Sequence, residues 1–192
     1  VAILSPTSDL KAQSGSGTQS NFDPALNTLL KAEPTVPGSD EIRQAWLAVS
    51  QWPVSRLEEI LNAADVANPV AINWLRSAID RMGDQAGFTL PVEDLQKVAT
   101  DIDRKYASRR IALDLLETAD PKRFASVLEK LVENPISVFR RPAIEKRIAA
   151  ANALDKKSLE RKQRYLEIFR AARDEDQVQA AAGVLEEEFG EK

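Results

Sequence analysis

Apolar residues recur at spacings of three and four along almost the whole chain after residue 23, and polar residues fill the positions between them. Ile42, Ala45 and Val49, for example, fall on one face of a helix. This spacing is typical of amphipathic α-helices, whereas a half-buried strand needs strict alternation, which the sequence lacks. The pattern predicts an all-α protein with helices over residues 24–30, 40–50, 54–64, 69–82, 91–100, 104–118, 121–131, 135–154, 157–173 and 176–189.

Short polar residues followed by proline mark where several of these helices begin. An Asp or Asn side chain can accept a hydrogen bond from a first-turn N–H, and proline suits the first helical position, where an N–H would lack a partner. The sequence predicts such starts at Asp23-Pro24, Asn68-Pro69, Asp120-Pro121 and Asn134-Pro135, and a cap at Asp103. Pro142 lies inside the helix predicted after Asn134, where it removes a hydrogen bond and predicts a kink.

Residues 1–22 differ in composition from the rest of the chain. The run S-G-S-G-T-Q-S at 14–20 has nothing apolar to bury and is typical of a flexible linker. The sequence therefore predicts a disordered tail over 1–22 and an all-helical domain over 23–192. The first four residues, V-A-I-L, resemble the end of a signal-peptide apolar region. No run of about 18 apolar residues occurs, so no membrane span is predicted.

Helices are predicted to alternate in length over residues 54–152. Short ones begin near residues 54, 91 and 121, and long ones near 69, 104 and 135. The resulting unit of about 30 to 37 residues falls within the range of helical repeat proteins. The long helices also share residues, since N-P-V-A-I-N-W-L-R-S-A-I at 68–79 aligns with N-P-I-S-V-F-R-R-P-A-I at 134–144. The sequence thus predicts a repeat-like part over 54–152 and a final helical pair over 157–189.

These residues resemble the short HEAT-type repeat, whose second helix typically opens with D-P-x-x-x-V-R-x-x-A. The resemblance implies a HEAT-like array of antiparallel helix pairs, an α-solenoid, in which the arginine of one repeat bonds to the cap of the next and forms a polar ladder. The ladder arginines would be Arg76, Arg110 and Arg140, and the caps Asn68, Asp103 and Asn134. Asn replaces Asp at two of these caps, so the ladder is expected to be weaker than a charged one.

A narrower likeness extends to the C-terminal helices. The patterns N-P-x-x-x-N-W-L-R-x-A-I-D, N-P-x-x-x-x-R-R-x-A-I and Y-x-x-x-x-x-A-A-R-D-x-D-Q-V together resemble a helical module of large exported bacterial proteins. In that family the module precedes a β-sandwich that looks carbohydrate-binding. The activity of the module itself is unassigned in that family. We predict that this chain is a non-catalytic scaffold or protein-interaction module, whose partner is another protein or a neighbouring domain of the same polypeptide. The resemblance also favours a periplasmic or extracellular location over the cytoplasm.

The composition excludes several kinds of active site. The chain contains no Cys and no His, which rules out Cys nucleophiles, Cys–His zinc sites and Ser–His–Asp triads. Its 7 Gly form no phosphate-binding loop. Neighbouring acids such as Glu58-Glu59, Asp101 with Asp103, and Glu186–Glu188 point in different directions on a helix, whereas a carboxylate hydrolase needs two acids facing across a cleft. We therefore predict no enzyme activity, no catalytic residue, no cofactor and no metal site.

Charge is distributed unevenly, although the whole chain is acidic with a net charge of −4 and a pI near 5.1. Nine Lys or Arg and three acids lie between residues 140 and 164, followed by seven acids and no base between 174 and 191. Curved helical arrays can present such basic stretches to nucleic acids or to acidic proteins. The candidate partner-binding residues are Arg141, Lys146, Arg147, Lys157, Arg161 and Arg164.

A second interpretation of these basic residues is a solvated face that is balanced by the acidic residues Glu186–Glu188. The negative total charge and the small share of aromatic residues, 6%, favour it, because proteins that bind single strands stack bases on aromatic side chains. A protein partner is therefore the primary prediction, and binding of nucleic acid or an acidic partner is the alternative.

The three tryptophans are the remaining candidates for ligand contact. Trp46 and Trp74 lie at the spacing of a helix core face, and Trp52 lies at a helix junction. Large aromatic side chains at such positions more often fill a core than stack on a ligand, so core packing is predicted. Of the three, Trp52, directly before Pro53, is predicted to be the most exposed.

Overall fold

The chain is helical throughout the part that its structure describes. The computed structural model describes residues 22–34 and 39–191, and these contain ten α-helices, one 3₁₀ turn and no β-strand. The helices are α1 (Pro24–Leu30), α2 (Asp40–Ser50), α3 (Leu57–Ala64), α4 (Pro69–Gly83), α5 (Val92–Thr100), α6 (Tyr106–Ala119), α7 (Pro121–Leu131), α8 (Ser137–Asn152), α9 (Leu159–Ala171) and α10 (Glu175–Phe189). The all-α prediction is confirmed. Among the described residues, no helix has both the length and the apolar character needed to cross a bilayer.

The predicted tail, residues 1–22, lies outside the described residues except for its last member. Phe22 packs against the core, and its carbonyl oxygen accepts a hydrogen bond of 2.8 Å from Asn27 Nδ2 in α1. The helical domain therefore includes Phe22, which the composition assigns to the tail.

Three of the predicted helix starts are confirmed by side-chain caps. Asp23, Asn68 and Asp120 each accept hydrogen bonds of 2.8 to 3.0 Å from first-turn N–H groups of the helix that follows. Each of these caps satisfies a donor that has no partner inside the helix. Proline occupies the next position in all three cases. An Asp or Asn followed by Pro therefore predicts the starts of α1, α4 and α7 correctly.

The start of α8 differs from the prediction. Asn134 does not cap a helix; its Oδ1 accepts the N–H of Ile136 at 3.0 Å, which closes a turn, and α8 begins only at Ser137. Arg140 Nη1 donates to the carbonyl oxygens of Asn134 and Pro135 at 2.9 and 3.2 Å. Because the guanidinium takes up these two carbonyls, the chain remains non-helical at Asn134 and Pro135. The predicted cap at Asn134 is wrong.

The predicted cap at Asp103 is also wrong. Asp103 donates its backbone N–H to Asp101 Oδ1 at 3.0 Å, and the chain turns there before α6 begins at Tyr106. Lys105 is the residue before α6, and its side chain makes no capping hydrogen bond. Similarly, residues 54–56 of the helix predicted over 54–64 form a 3₁₀ turn, and regular α-helix starts at Leu57.

Short and long helices alternate through the middle of the chain, as predicted. The helices α3, α5 and α7 contain 8, 9 and 11 residues, while α4, α6 and α8 contain 15, 14 and 16. The main packing contacts join helices that are no more than three positions apart in chain order. One apolar core runs through these contacts, and its largest fully buried members include Leu75, Ile111, Phe139 and Tyr165. Most helices thus pack on the next helix in the chain, whereas α4 packs mainly on α2 and α3 packs mainly on α6.

Pro142 is the sixth residue of α8, and the helix continues past it to Asn152. Proline has no N–H, so the carbonyl oxygen of Val138, one turn earlier, loses its helical partner. The kink that the sequence predicts at this position stays a prediction.

None of the three predicted ladder arginines binds the predicted cap of a neighbouring repeat. Arg76 of α4 and Arg110 of α6 both bind Asp114, each at 2.8 Å, and Asp114 lies in the middle of α6 rather than at a cap. The predicted ladder is therefore wrong at these two positions. Arg140 does bind the residue that precedes another helix, since its Nη2 donates to Asp174 Oδ2 at 2.9 Å and Asp174 precedes α10.

The tryptophans pack as core residues, and the prediction that Trp52 is the most exposed of them is wrong. Trp52 is buried, and the guanidinium carbon of Arg56 lies 3.3 Å above its ring centre. Arg56 is held there by Glu59 and Asp23, which bind its guanidinium at 2.7 and 3.1 Å. The half-buried rings of Trp46 and Trp74 meet edge to face, with 6.3 Å between their centres.

Candidate partner-binding surface

The six candidate basic residues lie on α8, on α9 or in the turn between them, and five have carboxylate partners within the chain. Arg141 of α8 donates from both terminal nitrogens to Asp176, at 2.8 and 2.7 Å. These hydrogen bonds favour the ionised carboxylate and lower the pKa of Asp176 to about 2. Arg141 therefore links α8 to the first turn of α10, close to the Arg140–Asp174 pair.

Arg161 is buried, with 4% of its surface exposed. Its guanidinium donates to Glu188 at 2.8 and 2.9 Å and to the carbonyl oxygen of Ala151 at 2.8 Å. These bonds hold the end of α10 and the end of α8 against α9, and they lower the pKa of the Glu188 carboxyl. The prediction that Arg161 lies on an accessible basic face is wrong, because a partner could reach this charge only by displacing Glu188.

Lys157 lies in the turn before α9 and not on the helix face predicted from its spacing to Arg161. Its backbone φ is 62°, a left-handed conformation that residues with a Cβ seldom adopt. The N–H of Lys157 faces Glu188 Oε2 at 3.5 Å, so this turn is drawn toward the end of α10.

The other three candidate residues line one cleft. Lys146 and Arg147 of α8 share Glu129 of α7, with nitrogen–oxygen distances of 3.6 and 3.0 Å. Arg164 of α9 lies between Glu160 and Glu167, at 4.0 and 3.5 Å. The floor between these groups consists of the apolar side chains of Ala150, Ala151, Leu154 and Ile168. The cleft has a volume of about 360 Å³. We refer to it as the α8–α9 cleft.

A second cleft lies where α3 faces α5. It has a volume of about 460 Å³ and an apolar lining that includes Leu57, Leu61, Leu95 and Val98. Arg104 borders it and reaches Glu58 at 3.5 Å. The spacing of these apolar residues along each helix predicts correctly that they face inward. It cannot predict the cleft, because the cleft depends on how α3 and α5 lie relative to each other.

Four carboxylates are held in their ionised form by hydrogen bonds from neighbouring side chains. Glu59, Asp174, Asp176 and Glu188 have lowered pKa values, in each case chiefly because of a side-chain hydrogen bond to the ionised form. A general acid at neutral pH needs the opposite shift, which burial away from cations would produce. Within residues 22–34 and 39–191, no group of three or more acidic side chains converges as a metal site would require.

Comparison with known proteins gives no relative, since no protein-family model, no curated protein and no solved structure matches the chain. The resemblance to HEAT-type repeats therefore rests on the sequence motifs alone.

Proposed function

We propose that this chain is a non-catalytic helical scaffold, a HEAT-like α-solenoid of antiparallel helix pairs, that binds another protein or a neighbouring domain through the α8–α9 cleft. The alternation of short and long helices from α3 to α8 supports the solenoid. So does the packing of each helix on those near it in chain order, because in solenoids each repeat contacts mainly its neighbours.

The basic residues are already paired with carboxylates, and this favours a protein partner over nucleic acid. Arg141, Arg147 and Arg161 each have a carboxylate of another helix within 3.0 Å. Nucleic-acid affinity arises mainly when Lys and Arg neutralise phosphates and release their counterions. A guanidinium that already holds a carboxylate would have to give up that pair first, and the displaced acid would repel the phosphate. The basic stretch therefore fits a role inside the fold better than a role in binding polyanions.

The state of the carboxylates supports the non-catalytic part of the proposal. An acid that is ionised and paired with arginine is a poor proton donor at neutral pH. Asp174 binds Arg140 of α8 and Glu188 binds Arg161 of α9, and they are the least exposed acids that pair with bases of these two helices. Both have lowered pKa values and are therefore ionised at neutral pH.

Site-specific photo-crosslinking tests this proposal. Ala150 lies in the cleft and is exposed, while Ala180 is exposed on α10 outside it, so replacing either with p-benzoylphenylalanine probes one surface and leaves the fold intact. In lysate of the source cells, we expect a discrete protein adduct from position 150 and none from position 180. Equal adducts from both positions, or adducts with nucleic acid from position 150, would contradict the proposal.

A further inference from the structure

The two walls of the α8–α9 cleft carry opposite net charges. The wall formed by α7 and α8 holds Lys146 and Arg147 around Glu129, so two bases face one acid and one positive charge is left over. We call these three residues the positive wall. The wall formed by α9 holds Glu160 and Glu167 around Arg164, so one negative charge is left over. We call these three residues the negative wall.

The internal contacts of each wall leave one charge of that wall unmatched. The side chains of Glu160, Arg164 and Glu167 are 63%, 56% and 51% exposed, and their mutual distances of 3.5 to 4.0 Å are those of loose surface pairs. Such pairs stabilise a fold very little, because both charges remain hydrated. Lys146 and Arg147 are about one-third exposed and divide a single carboxylate between them. Surplus charge of opposite sign is thus available on the two sides.

The spacing of the negative wall matches a helix. Glu160, Arg164 and Glu167 lie at i, i+4 and i+7 on α9, so their charges follow one line along the helix axis. The flank of a second α-helix beside α9 repeats its side chains at the same spacing, whereas an extended peptide does not. Between the walls, Ala150, Ala151, Leu154 and Ile168 offer an apolar floor with room for a few side chains.

We propose that the α8–α9 cleft takes an amphipathic helix of a protein partner whose apolar stripe has an acidic flank on one side and a basic flank on the other. The apolar stripe lies on the floor, the acidic flank faces the positive wall, and the basic flank faces the negative wall. This inference rests on the proposed function, since it specifies the kind of protein segment that the cleft binds. Charge complementarity selects this kind of helix, because a helix whose two flanks carry the same sign would be repelled by one of the two walls.

Three synthetic helical peptides test the inference directly. All carry the same leucine stripe and a hydrocarbon staple; one has glutamate on one flank and lysine on the other, one has glutamate on both, and one has lysine on both. Fluorescence anisotropy with the full chain at low ionic strength should give the mixed-flank peptide an affinity about fivefold above either single-sign peptide, which corresponds to one exposed charge contact changing from repulsive to attractive. Equal or higher affinity for a single-sign peptide, or no binding of any, overturns the inference.

Charge reversal of one wall should change the preferred peptide. Replacing Glu160 and Glu167 by Lys makes the negative wall positive, and the peptide with two glutamate flanks should then bind tightest. Replacing Glu186 and Glu187 by Lys is the matched control, because it makes the same charge change at two exposed positions of α10 outside the cleft. The control should leave the order of affinities as in the wild type. A control that reorders the peptides in the same way would overturn the inference.

The two experiments separate this inference from the proposed function. A protein adduct at position 150 together with no peptide preference would leave the protein-binding role in place and reject the mixed-flank helix. Absence of that adduct would reject the protein-binding role itself.

Discussion

Phe139 provides the sharpest test of the packing at the centre of this structure. Its side chain is fully buried at the start of α8, with 0% of its surface exposed. The ring centre of Tyr106 lies 5.6 Å from that of Phe139, and the guanidinium carbon of Arg109 lies 4.5 Å from it. Arg109 is itself buried, and its Nε donates to the carbonyl oxygen of Ala99 in α5 at 3.3 Å. Phe139 thus joins α8 to the preceding helix pair.

The substitution Phe139→Ala should lower the free energy of unfolding by about 4 kcal/mol. Removing a fully buried Phe side chain loses its transfer free energy and leaves a cavity, which together amount to about 3 to 5 kcal/mol. The contact with Tyr106 and the ring face beneath the buried cation of Arg109 keep the loss away from the lower end of that range. The assay is urea denaturation followed by far-UV circular dichroism. The matched control is Phe169→Ala, because Phe169 of α9 is 43% exposed and its loss should be about 1 kcal/mol.

Tryptophan fluorescence adds a second readout from the other end of the chain. All three tryptophans lie between α2 and α4, far in sequence from α8. The loss of about 4 kcal/mol applies to two-state unfolding, so Phe139→Ala should lower the circular dichroism and fluorescence midpoints together. A destabilisation below about 1.5 kcal/mol, or one no larger than that of Phe169→Ala, would refute the burial of Phe139 on which this reasoning depends.

Other predictions concern caps, backbone conformation and acid stability. Asp120→Ala should lower the free energy of unfolding by about 1 kcal/mol in urea titrations because α7 loses its cap, whereas Lys122→Ala, in the same turn, should change it by less than about 0.5 kcal/mol. Gly190→Ala should cost about 1 kcal/mol in the same assay, because Gly190 ends α10 with a φ of 68°. Lys157→Gly should instead raise stability by about 0.5 kcal/mol, since Lys157 has a φ of 62°; a loss would contradict the left-handed turn. Asp176 has a folded pKa of about 2 against an ordinary value of 3.8, so its contribution is present above pH 3.8 and is lost as pH falls toward 2. The drop in urea midpoint over that window should be smaller in Asp176→Asn, and an unchanged drop would contradict the Arg141–Asp176 pair.

Helix positions follow from the sequence wherever local chemistry decides them. Apolar spacing locates every helix, and an Asx-Pro pair marks the starts of α1, α4 and α7. The same pair fails at Asn134-Pro135 because Arg140 folds back onto the two carbonyl oxygens that would begin the helix. Arg140 can do so because Asp174, 34 residues later, holds its other end. A contact between residues this far apart cannot be predicted from the local sequence around Asn134.

The candidate surface is harder to predict from the sequence, because it too depends on contacts between residues that are far apart in the chain. The spacing of Arg161 and Arg164 on α9 indicates one common face, yet Arg161 is buried and Arg164 is exposed. Their environments differ because Glu188 of α10 covers Arg161 and not Arg164, and the position of α10 depends on tertiary packing. The balance between the basic stretch and the acidic C-terminal segment is visible in the sequence. Which base meets which acid, and which three bases border the α8–α9 cleft, requires the fold.

We propose that the basic residues of α8 and α9 serve the fold and a protein partner rather than a polyanion. Titration of labelled single-stranded and duplex nucleic acid with the full chain at low ionic strength tests it most directly. We predict no saturable binding at concentrations up to about 10⁻⁴ M, although non-specific binders reach dissociation constants of about 10⁻⁴ to 10⁻⁶ M even at physiological salt. Saturable binding at about 10⁻⁶ M that weakens steeply with added salt and is lost in Arg147→Gln with Arg164→Gln would contradict the claim.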